Sequence, residues 1–205
     1  MNTAKKIGNP NATNKRVTTA GMDREIALGV NAFKRDARYS KAVAGGRVKF
    51  RDTTLYIAFD AAGFGGKQAL LTPNTKKLVG ITNFDADKLN TGRNVCISAA
   101  RLLYSTEGAS LQTADWYNND RLCPELQNSE VVITQAGVKV FSIGLTDLFG
   151  HKFSDFRQIT DRPLLHQNEP INIEIQTPDG VTVPTATAQI NQFCRLEFRV
   201  IESKN

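Results

Sequence analysis

The stretch FCRLEFRVIE, residues 193–202, carries the strand pattern that decides the fold class. Apolar and charged residues alternate along it: Cys, Leu, Phe and Val occupy every second position, with Arg or Glu between them. Successive side chains of a β-strand point to opposite faces, so this period of two predicts a strand with one apolar and one polar face. The stretch therefore predicts a sheet that covers an apolar core with one of its faces.

Seven further runs upstream have strand character. They are VKFRDTTLYIAFD (48–60), QALLT (68–72), KLVGITNF (77–84), NVCISAARLLYST (94–106), EVVITQAGVKVFSIGL (130–145), INIEIQT (171–177) and VTVPTATAQI (181–190). Gly137 predicts a bend or bulge within the longest run, and Pro184 suits an edge or irregular strand. No strong helix pattern separates the runs, as parallel βαβ units require. The chain is therefore predicted to be all-β, an antiparallel sandwich or barrel.

The N-terminal part of the chain has a different pattern. Residues 1–17 are rich in Asn, Thr and Lys, which predicts a flexible arm. Over residues 18–41, apolar side chains recur every three or four positions, which predicts one short amphipathic helix in which Gly29 is an unfavourable residue. The apolar stripe consists of Met22, Ile26, Val30, Phe33 and Ala37. The predicted organisation is an arm with a helix over residues 1–41 and a β-sandwich over residues 42–205.

The net charge of +6 is concentrated in the first quarter of the chain. Residues 1–51 hold twelve Lys or Arg and three acidic residues, which is +9, whereas the remainder holds fourteen basic and seventeen acidic residues, which is −3. A basic arm beside a mildly acidic body suits contact with a polyanion such as nucleic acid, anionic lipid or an acidic protein face. The alternative is an arm that is simply solvated.

Motifs of catalysis are incomplete. AAGFGGKQ, residues 61–68, has Ala and Gln where a P-loop needs Gly and Ser or Thr, so it predicts a turn between strands. The cysteines are odd in number and lack metal-site spacing, and Cys96 and Cys194 lie in apolar runs, which predicts buried thiols and no metal or cofactor. An enzyme that pairs Cys123 with His151 or His166 is the least favoured hypothesis.

No apolar run approaches the ~18 residues of a membrane span, and no secretion signal is recognisable.

Two loops raise the question of a ligand or partner. NFDADKLNTGRN, residues 83–94, contains what looks like the start of a calcium loop at Asp85 and Asp87. Counted from Asp85, however, the fifth position is Leu89 and the twelfth is Cys96, where oxygen ligands are needed. It predicts a turn between two strands with Leu89 pointing inward. In TADWYNNDRLCPE, Trp116 and Tyr117 are either an interface hot spot, a stacking platform for bases or a plug that packs on the body.

NFDADKLNTGRNVCISAARLLYS and RPLLHQNEPINIEIQTP, followed by FCRLEFRVIE, resemble segments of jelly-roll capsid proteins of tailless icosahedral bacteriophages. The resemblance is to the lipid-containing single-stranded-DNA phages of Flavobacterium and its relatives. It implies an antiparallel jelly-roll sandwich that self-assembles into an icosahedral shell, with a location in the virion and, during assembly, in the host cytoplasm. A double jelly roll, common in related phages, needs about sixteen strands, and eight are recognisable here. The chain is therefore either a single jelly roll or a double one in which many strands are too short to recognise in the sequence.

The resemblance also implies how the subunit is arranged. The basic N-terminus would face the capsid interior and contact packaged DNA or an internal membrane, and the other partners would be further copies of the chain and other capsid proteins. The phosphate-contacting or lipid-contacting residues would be Lys5, Lys6, Lys15, Arg16, Lys34, Arg35, Arg38 and Lys41. Trp116 and Tyr117 are the candidates for the subunit interface. The alternative function is a nucleic-acid-binding module that uses the basic arm.

Overall fold

The structure is a computed structural model that describes residues 20–116, 121–149, 156–185 and 190–204. The described helices are α1 (Ala20–Arg35), α2 (Ser40–Ala44), α3 (Pro124–Gln127) and α4 (Leu145–Leu148). The described strands are β1 (Lys49–Asp60), β2 (Lys67–Ala69), β3 (Arg93–Ser105), β4 (Glu130–Gln135), β5 (Val138–Gly144), β6 (Arg157–Gln158), β7 (Leu164–Leu165), β8 (Ile171–Gln176) and β9 (Phe193–Lys204). Strands dominate the described residues, as predicted.

The strands form two antiparallel sheets. In the first, here called the β9 sheet, the order is β1-β9-β3-β6, and β7 pairs with β3 beside β6. In the second, the β8 sheet, the order is β2-β8-β4-β5. Every pairing between named strands is antiparallel. The prediction of an all-β antiparallel sandwich is confirmed at this level.

The two sheets enclose one apolar core. Leu196 and Phe198 of β9 and Ile173 and Ile175 of β8 belong to the same cluster of buried side chains, each exposed by 1% or less. Burial along β8 alternates strictly, so its Ile residues face the core and its polar residues face outward. Each fully buried side chain of this size contributes about 1.5–3 kcal/mol by leaving water. The inward faces predicted for both strands are therefore confirmed.

Helix α1 covers part of the outer face of the β9 sheet. Phe33 is fully buried there in a cluster with Cys96 and Ile201, and its ring centroid lies 5.3 Å from that of Phe50. Gly29 faces Ile201 so closely that a Cβ atom at this position would lie 2.5 Å from Cγ1 of Ile201. The glycine that lowers helix propensity is thus the residue that permits the close approach of helix and sheet.

The predicted helix is shorter than expected and is interrupted. α1 ends at Arg35, and the chain turns before α2 begins at Ser40. Asp36 lies at this break: its side chain accepts a bond from the N–H of Arg38, and its backbone carbonyl accepts bonds from the N–H groups of Tyr39 and Ser40. Ala37, predicted to continue the apolar stripe, is consequently exposed.

Three of the predicted strands are organised differently. In the run at 181–190, the described residues 181–185 and 190 form only isolated bridges, one of them between Thr182 and Gly65. The run at 77–84 is a tight turn in which Leu78 bridges Thr82 and Gly80 has a φ of +85°, so the chain reverses before a strand can extend. The run at 130–145 is a hairpin of β4 and β5, because Ala136 and Gly137 both adopt positive φ in a two-residue turn.

Other turn predictions are confirmed. The glycine-rich stretch at 61–68 connects β1 to β2, and Gly63 and Gly66 both have positive φ. Leu89 is 2% exposed and packs in the core, as the loop reading of residues 83–94 predicted. That loop leads from the turn at Leu78–Thr82 into β3, however, so a strand follows it but none directly precedes it.

Candidate anion-contacting site at one end of the sandwich

Half of the predicted arm and helix contacts are described. Lys34, Arg35, Arg38 and Lys41 are all exposed and lie around the break between α1 and α2. Arg38 pairs with Glu169 at 2.8 Å, whereas the other three form no ion pair with any described residue. The other predicted contacts lie outside the described residues: Lys5, Lys6, Lys15 and Arg16.

A polar cluster attaches this break to the end of the sandwich where β3 begins. The hydroxyl of Tyr39 donates to Oδ1 of Asn94 at 2.6 Å and lies 2.8 Å from Nδ1 of His166. The rings of Tyr39 and His166 stack with their centroids 5.6 Å apart. Nε2 of His166 lies 3.7 Å from Oδ2 of Asp36. Burial lowers the pKa of His166, so the ring remains neutral at lower pH than a free histidine.

The body adds basic residues at the same end. Three adjacent strands place them there, because the register sets Lys204 of β9 opposite Lys49 of β1 and Arg93 of β3. Arg51 lies two residues after Lys49, on the same face of β1, and is opposite Glu202. This group is not recognisable from the sequence, since Lys49 and Arg51 are about 150 residues from Lys204, Arg93 lies between them, and the charge of the body is net acidic.

Glu202 holds the two arginines in place. Its carboxylate is almost completely buried and accepts hydrogen bonds from Nε and Nη2 of Arg51, at 3.0 and 2.9 Å to Oε2. Its Oε1 accepts a bond of 2.8 Å from Nε of Arg93. A buried carboxylate is stable only with such partners, so Glu202 and the two guanidinium groups form one unit.

This unit borders a cavity of about 380 Å³, here called the basic cavity. Its charged lining residues are Arg51, Lys77, Arg93, Glu202 and Lys204. Four cations and one carboxylate give a net charge of +3. Part of the lining comes from the loop that resembles a calcium site, which supplies Arg93 rather than oxygen ligands. No group of three or more His, Cys, Asp or Glu side chains among the described residues is arranged to hold a metal ion.

A second group of arginines lies on the outer face of the β9 sheet. Glu197 is 6% exposed and accepts hydrogen bonds of 2.7 Å from Nε of Arg101 and from Nε of Arg195. The guanidinium carbon of Arg195 lies 4.2 Å from the centroid of the Tyr56 ring, and that of Arg199 lies 4.3 Å from the centroid of the Phe156 ring. These cations already have carboxylate and aromatic partners within the chain, which favours a structural role.

The Cys–His pairs predicted as a catalytic alternative do not assemble within the described residues. Cys123 lies beside Tyr104 near the end of β3, whereas His166 lies close to Asn94 at its start. Ten residues of strand separate these positions, which is about 33 Å at 3.3 Å per residue. Burial also raises the pKa of the Cys123 thiol and so reduces its reactivity at neutral pH. His151, the other predicted partner, lies outside the described residues.

The other two cysteines are buried, as predicted. Cys96 and Cys194 are both 0% exposed, and burial raises the pKa of Cys96 to about 12. Of the aromatic pair predicted for a subunit interface, Trp116 is half-buried in the connection between β3 and α3, and Tyr117 lies outside the described residues. Their role at an interface stays a prediction.

Compared with known proteins, the chain matches no protein-family model and has no significant match among curated sequences. Within the part of the chain that the structure describes, none of the helices has the length and apolar character that crossing a membrane requires.

Proposed function

We propose that this protein is a structural capsid subunit with a single jelly-roll body, which assembles with further copies of itself into an icosahedral bacteriophage shell. Its place is then the virion, and the host cytoplasm during assembly. The observation that carries the proposal is the strand order of the two sheets.

The order corresponds to a rolled-up antiparallel hairpin. If β6 and β7 are counted as one interrupted edge strand next to β3, the chain has eight strand positions. The β9 sheet then reads first, eighth, third and sixth, and the β8 sheet reads second, seventh, fourth and fifth. Each position in the first half of the chain thus pairs with its complement in the second half. This nested pairing supports the jelly roll, an architecture that viral capsid proteins use.

The charge distribution supports an orientation for the subunit. The exposed bases around the α1–α2 break and those of Lys49, Arg51, Arg93 and Lys204 occupy the same end of the sandwich. The sequence before α1 adds four more basic residues. A concentration of cations at one end suits contact with packaged DNA or with the phosphates of an internal membrane, so this end is proposed to face the capsid interior.

Exposed apolar residues support contacts between subunits. Val79 is 83% exposed and its neighbour Leu78 is 50% exposed, at the tip of the turn that leads into the 83–94 loop. Val138 is 67% exposed at the β4–β5 hairpin. Assembly into a shell buries such residues, and other capsid proteins are candidate partners for the same surfaces.

Assembly is the test. The full-length purified protein is expected to form large particles or stable oligomers in light scattering and negative-stain electron microscopy. The test variant is Leu78→Asp/Val79→Asp, which changes two exposed residues, keeps the core intact and is expected to reduce assembly. A wild-type protein that remains strictly monomeric at high concentration, with and without DNA, overturns the proposal.

The second candidate is a nucleic-acid-binding module that grips phosphates with the basic arm, favoured by the charge of +9 in residues 1–51. Helix α1 packs on apolar residues of the β9 sheet, so the truncation that tests this function should end before α1 begins. Deletion of residues 1–19 is therefore expected to weaken DNA binding strongly without unfolding the body, and wild-type affinity is expected to fall steeply with salt. Unchanged binding after the deletion excludes the arm as the contact.

A further inference from the structure

We infer that the basic cavity is a binding site for a phosphate group, with Arg51, Arg93, Lys77 and Lys204 as its ligands. This inference goes beyond the capsid proposal, because a phosphate site in the body is independent of assembly and of the arm. The site is formed by the ends of three adjacent strands and by the loops that precede β3.

Several cationic N–H groups at the cavity have no acceptor among the described residues. Arg93 uses Nε for Glu202, and Arg51 uses Nε and Nη2. Among the bonds formed between described residues, both Nη groups of Arg93 and Nη1 of Arg51 have no acceptor. Lys77 and Lys204 likewise form no ion pair with a described residue. Cationic donors without acceptors therefore line the cavity.

The guanidinium groups of Arg51 and Arg93 are held in place by the protein itself, before any ligand binds. Glu202 is exposed by only 1%, and its carboxylate accepts four bonds of 2.8–3.0 Å, three from Nε and Nη2 of Arg51 and one from Nε of Arg93. Such fixed side chains lose little conformational entropy on binding. The carboxylate therefore acts as a support for the arginines, and the outward N–H groups are presented to the cavity.

The positive charge of the basic cavity complements the negative charge of a phosphate group. Glu202 is the only carboxylate among the described residues that line the cavity, so this described lining carries an unbalanced net charge of +3. A phosphate group carries between one and two negative charges at neutral pH and has several acceptor oxygens, which match converging guanidinium forks and ammonium groups. The volume of about 380 Å³ leaves room for the group that bears the phosphate.

The phosphate can belong to a free ion or to a nucleic-acid strand, and two probes separate these sources. Calorimetric titration of the full chain uses inorganic phosphate in one arm and a short single-stranded oligonucleotide in the other. Saturable binding of either probe that depends on the cavity lysines supports the site. Binding of inorganic phosphate identifies the free ion as sufficient, and binding of the oligonucleotide alone identifies a backbone phosphate.

The test variant is Lys77→Gln/Lys204→Gln, which removes two cavity cations and leaves the bridge between Glu202 and the arginines intact. Its dissociation constant is expected to rise at least about tenfold, as the loss of charge-assisted hydrogen bonds predicts. The control is Lys67→Gln/Lys139→Gln, which removes two exposed lysines of the β8 sheet and is expected to change the constant less than about twofold.

Two results overturn the inference: no saturable binding of either probe to the wild type, or an equal loss of affinity in the two double variants. An equal loss indicates a diffuse effect of net charge. Negative-stain imaging of the Lys77→Gln/Lys204→Gln variant tests the capsid proposal separately. If this variant still forms particles, assembly does not depend on the phosphate site, and failure of the phosphate site does not contradict the capsid proposal.

Discussion

The two sheets of the sandwich have outer faces with opposite surroundings. On the outer face of the β8 sheet the side chains of β8 are half-exposed, and among the described residues Glu174 accepts hydrogen bonds only from its strand neighbours Asn172 and Gln176, at 2.6 and 3.0 Å. The outer face of the β9 sheet is covered by α1 over Ile201 and by the network of side chains around Glu197. Two strands with the same alternation in sequence thus differ in what their outward residues meet.

The difference teaches that a period of two identifies the face toward the core but not the environment of the other face. Along β8 the outward residues remain half-exposed, whereas along β9 Glu197 and Ile201 are buried. The cover of β9 comes from residues far away in the sequence, namely those of α1 and β3. Substitutions on the two outer faces should therefore have different costs.

The largest effect is expected for Phe33→Ala. Phe33 is fully buried between α1 and the β9 sheet, and its truncation leaves a cavity that should lower the free energy of unfolding by about 3–5 kcal/mol. Chemical denaturation followed by circular dichroism measures the change. Leu28→Ala on the same helix, where the side chain is 36% exposed, serves as the control. Equal losses in the two variants would show that α1 is not docked as described.

A smaller loss is expected for Glu197→Gln. The substitution leaves Arg101 and Arg195 largely buried beside a neutral amide, which should cost about 2–3 kcal/mol of unfolding free energy. Glu174→Gln on the solvated face is the matched control and should change stability by less than about 0.5 kcal/mol. Urea denaturation of the two variants compares the faces directly, and similar values would remove the distinction drawn between them.

Gly29→Val tests the close approach of helix and sheet. A side chain at this position meets Ile201 at 2.5 Å and should destabilise the protein by about 1–3 kcal/mol through overpacking. Combining it with Ile201→Ala should recover part of the loss, which a thermal-denaturation double-mutant cycle detects. The control Gly144→Ala has open space around the added atom and a negative φ. Additive effects in the cycle contradict the contact.

The smallest effect is the pH dependence caused by His166. Burial and the nearby Arg38 lower its pKa, while Asp36 and Glu169 partly oppose the shift, and Tyr39 stacks on the ring. The unfolded chain therefore binds a proton more readily, so stability should fall as the pH decreases below about 6.5, toward the lowered pKa of the folded state.

The denaturation midpoint, measured between neutral and mildly acidic pH, gives this slope. His166→Gln should flatten it, because the variant cannot take up the proton. His151→Gln, which changes the only other histidine, is the control. A slope that disappears with His151→Gln and persists with His166→Gln would assign the pH dependence to His151 and contradict this prediction.

The segments predicted well from sequence are those whose pattern is local. The alternation in β8 and β9 gave strands with the expected inward residues, because pleating alone sets which side chains share a face. The apolar residues at 77–84 were misleading, since Gly80 closes a turn before a strand extends. The hairpin at Ala136–Gly137 was read as a bend within one strand, although paired positive φ values define a reversal.

The candidate site was predicted only in part. The basic character of the N-terminal region is evident from residue counts, and the basic side chains predicted within residues 34–41 are exposed in the structure. The basic cavity was missed, because Arg51, Arg93 and Lys204 are adjacent only through the antiparallel register of three strands. For Gly29 the sequence shows only the low helix propensity of glycine. The reason for a glycine at this position is the close approach of Ile201.

The sequence alone determined that the body is a two-faced β structure and that positive charge gathers near the N-terminus, because periodicity and composition are local properties. Tertiary structure decided the order of strands in each sheet, the burial of Glu197 and Glu202, and the meeting of distant bases at one end of the sandwich. The physical reason is that hydrogen-bonded pairing joins residues some 150 positions apart, and only that pairing sets the environment in which each charge lies.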